Sequence, residues 1–458
     1  MQLGDPTAYG NIPPCPAIIS AVTAALHSPG STAGYVNACG TPDARAAIAK
    51  HHSNLMKDDD RSKDGEEEHE VEEQPKKVDV TPDDVIVANG ASGALELALT
   101  ALLDEDSVLL GESYSNFMHT YYISLQVLLT DQYASAVPRP GFPLYQVIAE
   151  SHGSTVVHYD LRPDNGWECD LDHMESIILG EELKKKTKMK DENEDASSSS
   201  SNKVVRAILV NNPSNPTGAV YTEEHLMQII KLAEKYQVPI VADEIYGDMT
   251  FGSNVFHPMA NVAAKMGYEV PIITASGLGK QYLVPGWRLG WIVFQDSHHG
   301  AIQEVKRGAQ RLAQVILGSS HLAQVAIPAV LDPSTESDHT STALWKRNLY
   351  TTIEDQAALL CGLLNECDGL NVIFPQGAMY AMVQIDVEKF DDAIVDDVSF
   401  MKLLLEEENI VVLPGCAFGL AGGTASSCYV FRVVFCAPEH ILRTASDRIS
   451  SFCHRHRK

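Results

Sequence analysis

The stretch Ser276-Gly-Leu-Gly-Lys-Gln-Tyr-Leu-Val-Pro-Gly-Trp-Arg-Leu-Gly-Trp291 decides how this chain folds and what chemistry it carries. It joins two apolar segments, Val270–Ala275 and Leu289–Phe294, which predict strands. Lys280 and Arg288 lie eight positions apart on this glycine-rich connection. A lysine held partly away from water at a strand end acquires a nucleophilic amine. An arginine has the planar fork that binds two phosphate oxygens at once.

On its own, the stretch has two interpretations. Most lysines are solvated surface charges, and most segments rich in glycine and proline are turns. A reactive amine beside a phosphate clamp instead favours an enzyme that holds pyridoxal phosphate as a Schiff base. The rest of the chain has to separate the two.

Length, charge and cysteine content limit the class of protein. A chain of 458 residues is too long for one ordinary core, so two domains are expected. The formal net charge of −27 argues against a nucleic-acid partner and against an anionic membrane surface. Nine scattered cysteines without C-x-x-C spacing indicate free thiols and no metal site. We therefore expect a cytoplasmic location, with a mitochondrial one left open because the true N-terminus is unknown.

Strands and helices alternate from Val85 to Phe294, which predicts a mostly parallel sheet covered on both faces. The remainder, with a long helix predicted at Ala343–Cys367, reads as a smaller α+β domain. Three segments interrupt the pattern. Residues 57–77 are a charge run and residues 181–203 are rich in lysine, acid and serine, so both are interpreted as surface insertions. Residues 111–136, rich in tyrosine, serine and leucine, show no clear period.

Several polar residues follow the predicted strands, where open α/β sheets bind ligands. After the strand Val238–Ala242 come Asp243 and Glu244, which would point into a site or cap a helix. In the first case Asp243 would pair with the cofactor's ring nitrogen, and Tyr246 and Asn215 would hydrogen-bond its ring oxygen. The turn Gly90-Ala91-Ser92 precedes a helix whose N-terminus, with Arg288, would hold the phosphate.

These motifs together resemble one family closely: the class I aminotransferases of pyridoxal-phosphate fold type I, and within them the tyrosine aminotransferases. The matching segments run from near residue 3 almost to the C-terminus: Leu3–Thr7, Pro138–Phe142, Asn211–Gly218, Ala242–Met249, Leu283–Trp291, Pro375–Tyr380, Leu413–Gly415 and Phe431–Val434. The resemblance implies a mostly parallel seven-stranded sheet in a large domain of residues 30–328. Residues 1–29 and 329–458 would form the small domain.

The resemblance also implies roles that spacing alone does not give. Arg432 would clamp the substrate α-carboxylate, with Asn215 beside it. Phe142, which could otherwise be a core aromatic, would stack on the cofactor ring. Tyr35 would reach the phosphate of a neighbouring subunit, which implies a homodimer. Lys280, Asp243 and Tyr246 are the implied catalytic residues of a reaction between an amino acid and a 2-oxo acid, typically 2-oxoglutarate.

The chain departs from the family pattern in three places. It begins almost at Leu3–Thr7, where relatives carry a preceding arm, and it interrupts a family strand with residues 111–136. Ser276, the implied phosphate-binding serine, lies four residues before Lys280, whereas many relatives place it three before. Two alternatives therefore stay open: another fold type I enzyme, such as a C–S lyase or a neutral amino acid aminotransferase, or a relative impaired by the 111–136 insertion.

Overall fold

A computed structural model describes residues 5–28, 32–58, 80–103, 107–110, 136–180, 204–296, 300–420 and 429–458. The insertion predicted at 181–203, and nearly all of those at 57–77 and 111–136, lie outside these residues. The described part contains no helix that is both long and apolar enough to cross a membrane.

Fourteen α-helices and thirteen strands make up the described part. The helices are α1 Pro16–His27, α2 Pro42–Asp58, α3 Gly90–Leu102, α4 Leu144–Ser151, α5 Leu171–Ile178, α6 Glu223–Tyr236, α7 Met259–Met266, α8 Leu278–Gln281, α9 Gln303–Val315, α10 His321–Gln324, α11 Ala326–Leu331, α12 Glu336–Asn365, α13 Asp397–Glu408 and α14 Glu439–Arg455. The strands are β1 Val85–Asn89, β2 Ser107–Leu110, β3 Ala136–Arg139, β4 Thr155–Arg162, β5 Glu168–Cys169, β6 Val204–Asn211, β7 Ile240–Asp243, β8 Ile272–Gly277, β9 Leu289–Gln295, β10 Leu370–Ile373, β11 Tyr380–Ile385, β12 Leu413–Pro414 and β13 Tyr429–Val434.

The large sheet has the strand order β1-β9-β8-β7-β6-β2-β4-β3, and β5 pairs with β4. In this order, neighbouring strands run parallel from β8 through β7, β6, β2 and β4 to β3. Strand β9 is antiparallel to both β8 and β1. The prediction of a mostly parallel sheet is therefore confirmed. The predicted number of seven strands is wrong for the described residues, which contain nine. Two short strands account for the difference: β3 extends the edge of the sheet, and β5 folds back on the end of β4.

Apolar clusters cover both faces of this sheet, which explains why β8 is buried at every residue. One cluster joins β6 and β7 to α6 and α7, and another joins β1 and β9 to α3 and α9. Helix α6 has clear end signals: the hydroxyl of Thr222 accepts from the backbone N–H of His225, and Gln237 adopts the left-handed conformation at the other end.

A second sheet, with the order β10-β11-β13-β12, is antiparallel throughout. It packs with α12, α13 and α14 around a separate core that includes Phe400, Phe431 and Phe452. Residues Tyr246, Met249 and Leu283, which lie near the end of the large sheet, also belong to this core. The small sheet is thus packed directly against the edge of the large one where Asp243 and Lys280 are found.

Some predicted element boundaries are wrong. The segment Gly90–Ala94 is the first turn of α3 rather than a turn before it, because Gly90 takes a φ of +74° that lets the helix begin directly after β1. The segment of residues 111–136 ends one residue too late, because Ala136 is the first residue of strand β3. The long helix starts at Glu336 rather than Ala343, since the hydroxyl of Thr335 caps it by accepting from the backbone N–H of Asp338.

Candidate active site

The candidate site lies where β6, β7 and β8 end. The register pairs Asn211 with Asp243 and Asp243 with Ala275, so the ends of these three parallel strands are side by side. Lys280 follows on α8, less than one helical turn beyond the end of β8. The sheet thereby brings Asp243 and the lysine-bearing helix to the same edge, as the sequence predicts.

Asp243 is a buried carboxylate with two donors. The Tyr145 hydroxyl donates to its Oδ2 at 2.6 Å, and the Ile245 backbone N–H donates to its Oδ1 at 3.2 Å. Burial raises the pKa of Asp243 to about 6, and the two hydrogen bonds act in the opposite direction. The carboxylate is therefore mostly ionised at neutral pH. A cationic ring nitrogen is the kind of group that such a buried anion binds well.

The neighbouring acid, Glu244, has a different role. Its Oε1 accepts from the backbone N–H of Met259 at 2.8 Å, at the start of α7. Burial raises the pKa of Glu244 to about 8, so this carboxyl carries a proton at neutral pH. The sequence leaves two roles open for these acids, pointing into a site or capping a helix. Asp243 lies at the site edge, and Glu244 accepts a hydrogen bond from the first turn of a helix.

Tyr145, which the sequence analysis does not single out, connects Asp243 to Phe142. The rings of Phe142 and Tyr145 meet edge to face at 5.7 Å, and Phe142 is half-buried against the core of the large sheet. Phe142 therefore lies one side chain away from the Asp243 carboxylate. Tyr145 lies within α4, whereas Phe142 lies two residues before that helix begins, so helical spacing gives no signal for this pair.

Ser276 and Lys280 occupy the end of β8 and the helix that follows. The Ser276 hydroxyl donates to the carbonyl oxygen of Glu244 at 3.3 Å, which ties β8 to the segment after β7. Lys280 is half-buried. The Lys280 ammonium interacts electrostatically with the Cys436 thiol. Burial raises the pKa of Cys436 to about 12, and the positive charge of Lys280 opposes that rise. Lys280 therefore lies at the junction with the segment after β13.

Arg288 lies over the N-terminus of α3. Its Nη2 donates to the carbonyl oxygen of Asn89 at 3.1 Å, and its Nη1 donates to that of Pro285 at 3.3 Å. A Cβ placed on Gly90 would lie only 2.6 Å from Nη2, so this guanidinium fits because position 90 is glycine. Gly290 is equally necessary, since a Cβ there would lie 2.4 Å from the Ala91 nitrogen.

These contacts form an anion site from the predicted residues. The first N–H groups of a helix, here those of the turn containing Ala91 and Ser92, have no partner within the helix and lie at its positive end. A guanidinium beside them adds a full positive charge. A phosphate group therefore fits this site, because the helix N–H groups and the guanidinium are donors and Gly90 and Gly290 allow their close approach.

Arg432 is a buried cation held by polar and aromatic partners. Its Nη1 donates to Asn215 Oδ1 at 2.7 Å, and the guanidinium carbon lies 4.3 Å from the ring centre of Tyr380 and 4.8 Å from that of Phe418. Burial lowers its pKa from the ordinary value. Desolvation strengthens the attraction of such a cation for a carboxylate that enters the site.

The loop that carries Asn215 is tied to the same strand ends. Asn211 Oδ1 accepts from the Asn215 backbone N–H at 2.7 Å, while Asn211 Nδ2 donates to the carbonyl oxygen of Asp243 at 3.1 Å. Tyr246, three residues after Asp243, places its hydroxyl 2.8 Å from that of Tyr380. Burial and the neighbouring Tyr380 raise the pKa of Tyr246 well above its ordinary value, so it stays protonated.

The structure thus brings together Phe142, Asn215, Asp243 and Tyr246 with the Lys280, Arg288 and Arg432 segments. Tyr35 is different, because its side chain is 93% exposed on the loop before α2. Sequence reasoning missed Tyr145 and Tyr380 as site residues. Tyr380 belongs to the Pro375–Tyr380 segment that matches the family pattern, and that match was the only signal for it.

Comparison with known proteins agrees with this geometry. Residues 122–449 match the family described as Aminotransferase class I and II. The chain is 36% identical to a tyrosine aminotransferase of Dictyostelium discoideum, over 100% of this chain and 89% of that protein. It is 32% identical to a human tyrosine aminotransferase, over 100% of this chain and 81% of that protein. A crystal structure of tyrosine aminotransferase from Leishmania infantum superposes with a TM-score of 0.75 at 26% identity, covering 100% of this chain and 91% of that one.

This chain belongs to the class I and II aminotransferases. It is an enzyme of the transaminase class with the fold type I architecture, and its sequence is close to those of the tyrosine aminotransferases.

Proposed function

We propose that this protein transfers the amino group of tyrosine, or of another aromatic amino acid, to 2-oxoglutarate, with pyridoxal phosphate held covalently by Lys280. The observation that carries the proposal is the buried Asp243 carboxyl group, held by the Tyr145 hydroxyl, at the end of the strand next to the one that leads to Lys280. The tyrosine preference is supported by the names of the relatives.

When bound, pyridoxal phosphate supplies an electron-accepting ring that stabilises negative charge at the substrate Cα. Asp243 would keep the ring nitrogen protonated, and Tyr145 keeps the carboxylate in place by donating to Oδ2. Arg288 and the first turn of α3 would bind the phosphate, because Gly90 and Gly290 let the guanidinium and strand β9 come close to the start of that helix. Phe142 would lie against the ring, next to Tyr145.

The substrate would be oriented from the other side of the site. Arg432 would bind its α-carboxylate, and Asn215, which accepts from Arg432 Nη1, fixes the direction of the guanidinium. The Lys280 amine would take a proton from the substrate Cα. Half-burial limits the access of water to that amine.

A homodimer is part of the proposal. Tyr35 is almost fully exposed, and so are Val315, the last residue of α9, and Ile316 and Leu317 after it. The loop that carries Tyr35 lies near the chain that follows these residues, since His321 Nδ1 lies 3.1 Å from the carbonyl oxygen of Gly34. Exposed aromatic and aliphatic side chains are typical of a subunit interface.

The test is product analysis with purified protein, pyridoxal phosphate, tyrosine and 2-oxoglutarate. We expect glutamate and the 2-oxo acid of tyrosine in equal amounts, with no product from a Lys280→Ala variant. Phenylalanine, tryptophan, methionine and alanine, tested in parallel, rank the amino donors. Ammonia and pyruvate formed from a cysteine conjugate without any 2-oxo acid would instead identify a C–S lyase. Absence of every product from the cofactor-loaded wild-type protein would refute the proposal.

A further inference from the structure

Tyr380 contacts both Tyr246 and Arg432, through its hydroxyl and its ring respectively. It begins strand β11 of the small sheet and is 3% exposed. Its hydroxyl lies 2.8 Å from that of Tyr246, and the two rings meet edge to face at 5.8 Å. Its backbone packs closely against Gly218, where an added Cβ would lie 2.5 Å from the Tyr380 carbonyl oxygen.

The direction of the hydrogen bond between the two hydroxyls decides what Tyr246 can do. Each phenol has one proton to donate. If Tyr246 donates to Tyr380, its proton is used and it cannot also donate to a bound ligand. If Tyr380 donates to Tyr246, the Tyr246 proton is available for a third group. The distance of 2.8 Å allows either arrangement.

The position of Arg432 favours the second arrangement. Its guanidinium carbon lies 4.3 Å from the centre of the Tyr380 ring, which is cation–π geometry. A cation on the ring face draws electron density from the phenol and makes its O–H a stronger donor. Tyr246 has no comparable ring contact among the cation–π pairs of the described residues.

We propose that Tyr380 is a positioning residue for the reaction: it donates to the Tyr246 hydroxyl oxygen and so directs the Tyr246 proton to the ring oxygen of pyridoxal phosphate. This inference rests on the proposed function. A donor that itself accepts a hydrogen bond is polarised and donates more strongly. Tyr380 therefore strengthens the contact that Tyr246 would make, and its ring supports the guanidinium that would bind the substrate carboxylate.

The experiment measures the pH midpoint of the visible absorption band of the protein loaded with pyridoxal phosphate. Tyr246→Phe should raise the midpoint, because a donor to the charged ring oxygen is lost. Tyr380→Phe should raise it by less, about 0.3 to 0.7 pH units, because the Tyr246 donor is weakened and not removed. The double variant should match Tyr246→Phe alone, since Tyr380 acts through Tyr246.

A matched control is Tyr159→Phe, which removes another buried hydroxyl, one that donates to the carbonyl oxygen of Leu209 at 2.8 Å. Its midpoint should equal that of the wild type. Tyr380→Leu separates the ring from the hydroxyl: it should raise the KM for the amino acid by about 2- to 10-fold through loss of the cation–π contact, whereas Tyr380→Phe should leave the KM within about 2-fold.

The possible results separate this inference from the proposed function. If the wild-type protein shows the band and the midpoint of Tyr380→Phe is unmoved or lowered, the role of Tyr380 is overturned while the proposed function stands. A lowered midpoint would show that Tyr246 donates to Tyr380. Midpoint changes that add in the double variant would also overturn it. No band in the wild-type protein would overturn the proposed function and this inference with it.

Discussion

Replacing Tyr145 with phenylalanine tests the electrostatic design of the site. The change removes the hydroxyl that donates to Asp243 Oδ2 at 2.6 Å and keeps the ring that packs on Phe142. A hydrogen bond to a charged group contributes about 1.5 to 3 kcal/mol, which corresponds to about 1 to 2 pKa units. Because the pKa of Asp243 is already raised to about 6, the variant carboxyl should titrate at about 7 to 8.

The size of the effect follows from the ionised fraction. At pH 7 about nine-tenths of the wild-type carboxyl is ionised, against about one-tenth to one-half in the variant. Only the ionised form accepts from a protonated ring nitrogen. The affinity of the variant for pyridoxal phosphate should therefore be about 2- to 10-fold weaker at pH 7 and within about 2-fold of wild type at pH 9.

The assay is a titration of cofactor-free protein with pyridoxal phosphate at both pH values, with wild type and variant compared at the same pH so that changes in the cofactor cancel. Tyr159→Phe serves as the control for loss of a buried hydroxyl. An equal loss of affinity at pH 7 and pH 9 would mean that Tyr145 only packs. No loss at either pH would refute the reasoning that Asp243 binds the cofactor as an anion supported by Tyr145.

Three further predictions follow from other contacts. Asp243→Asn should make the cofactor-free protein more stable than the wild type at pH 8 by about 3 kcal/mol. Burial raises the pKa of Asp243 from 3.8 to about 6, so the wild-type protein loses stability as the pH rises through that window and the buried carboxyl ionises. Urea denaturation at pH 4, where the folded protein holds this carboxyl protonated, should show no advantage for the variant. Gly290→Ala should destabilise the protein by about 1 to 3 kcal/mol and weaken cofactor retention, because the new Cβ would lie 2.3 Å from the Gly90 carbonyl carbon. Gly286→Ala is the control: its Cβ would meet nothing within 4 Å, so it should change neither urea denaturation nor cofactor retention. Val315→Asp should convert the proposed dimer to a monomer in light scattering, since this 79% exposed side chain lies in the proposed interface; an unchanged mass would place the interface elsewhere.

The sequence predicts the sheet and the strand-end residues because their signals are local. The end signals of helix α6 are local in this sense, since the capping Thr222 and the left-handed Gln237 lie next to the apolar pattern that they terminate. Asp243 and Lys280 follow apolar strands directly, so their arrival at one sheet edge follows from the parallel topology.

The parts that were missed depend on contacts between distant segments. Tyr145 and Asp243 are 98 residues apart, and Tyr246 and Tyr380 are 134 apart, so no local pattern reveals either pair. Helix α3 begins at Gly90 because Gly290, on the neighbouring strand β9, has no side chain in the way. Strand β12 is limited to Leu413 and Pro414, the two residues of its segment that pair with β13.

The most direct test of the central claim is the visible absorption spectrum of the purified protein with pyridoxal phosphate, before and after tyrosine is added and again after 2-oxoglutarate. The account predicts a protein-bound band that tyrosine bleaches and 2-oxoglutarate restores, and no such lysine-bound band in Lys280→Ala. A band that tyrosine leaves unchanged would contradict the proposed amino donor. A wild-type spectrum equal to that of free pyridoxal phosphate would contradict the assignment of this site.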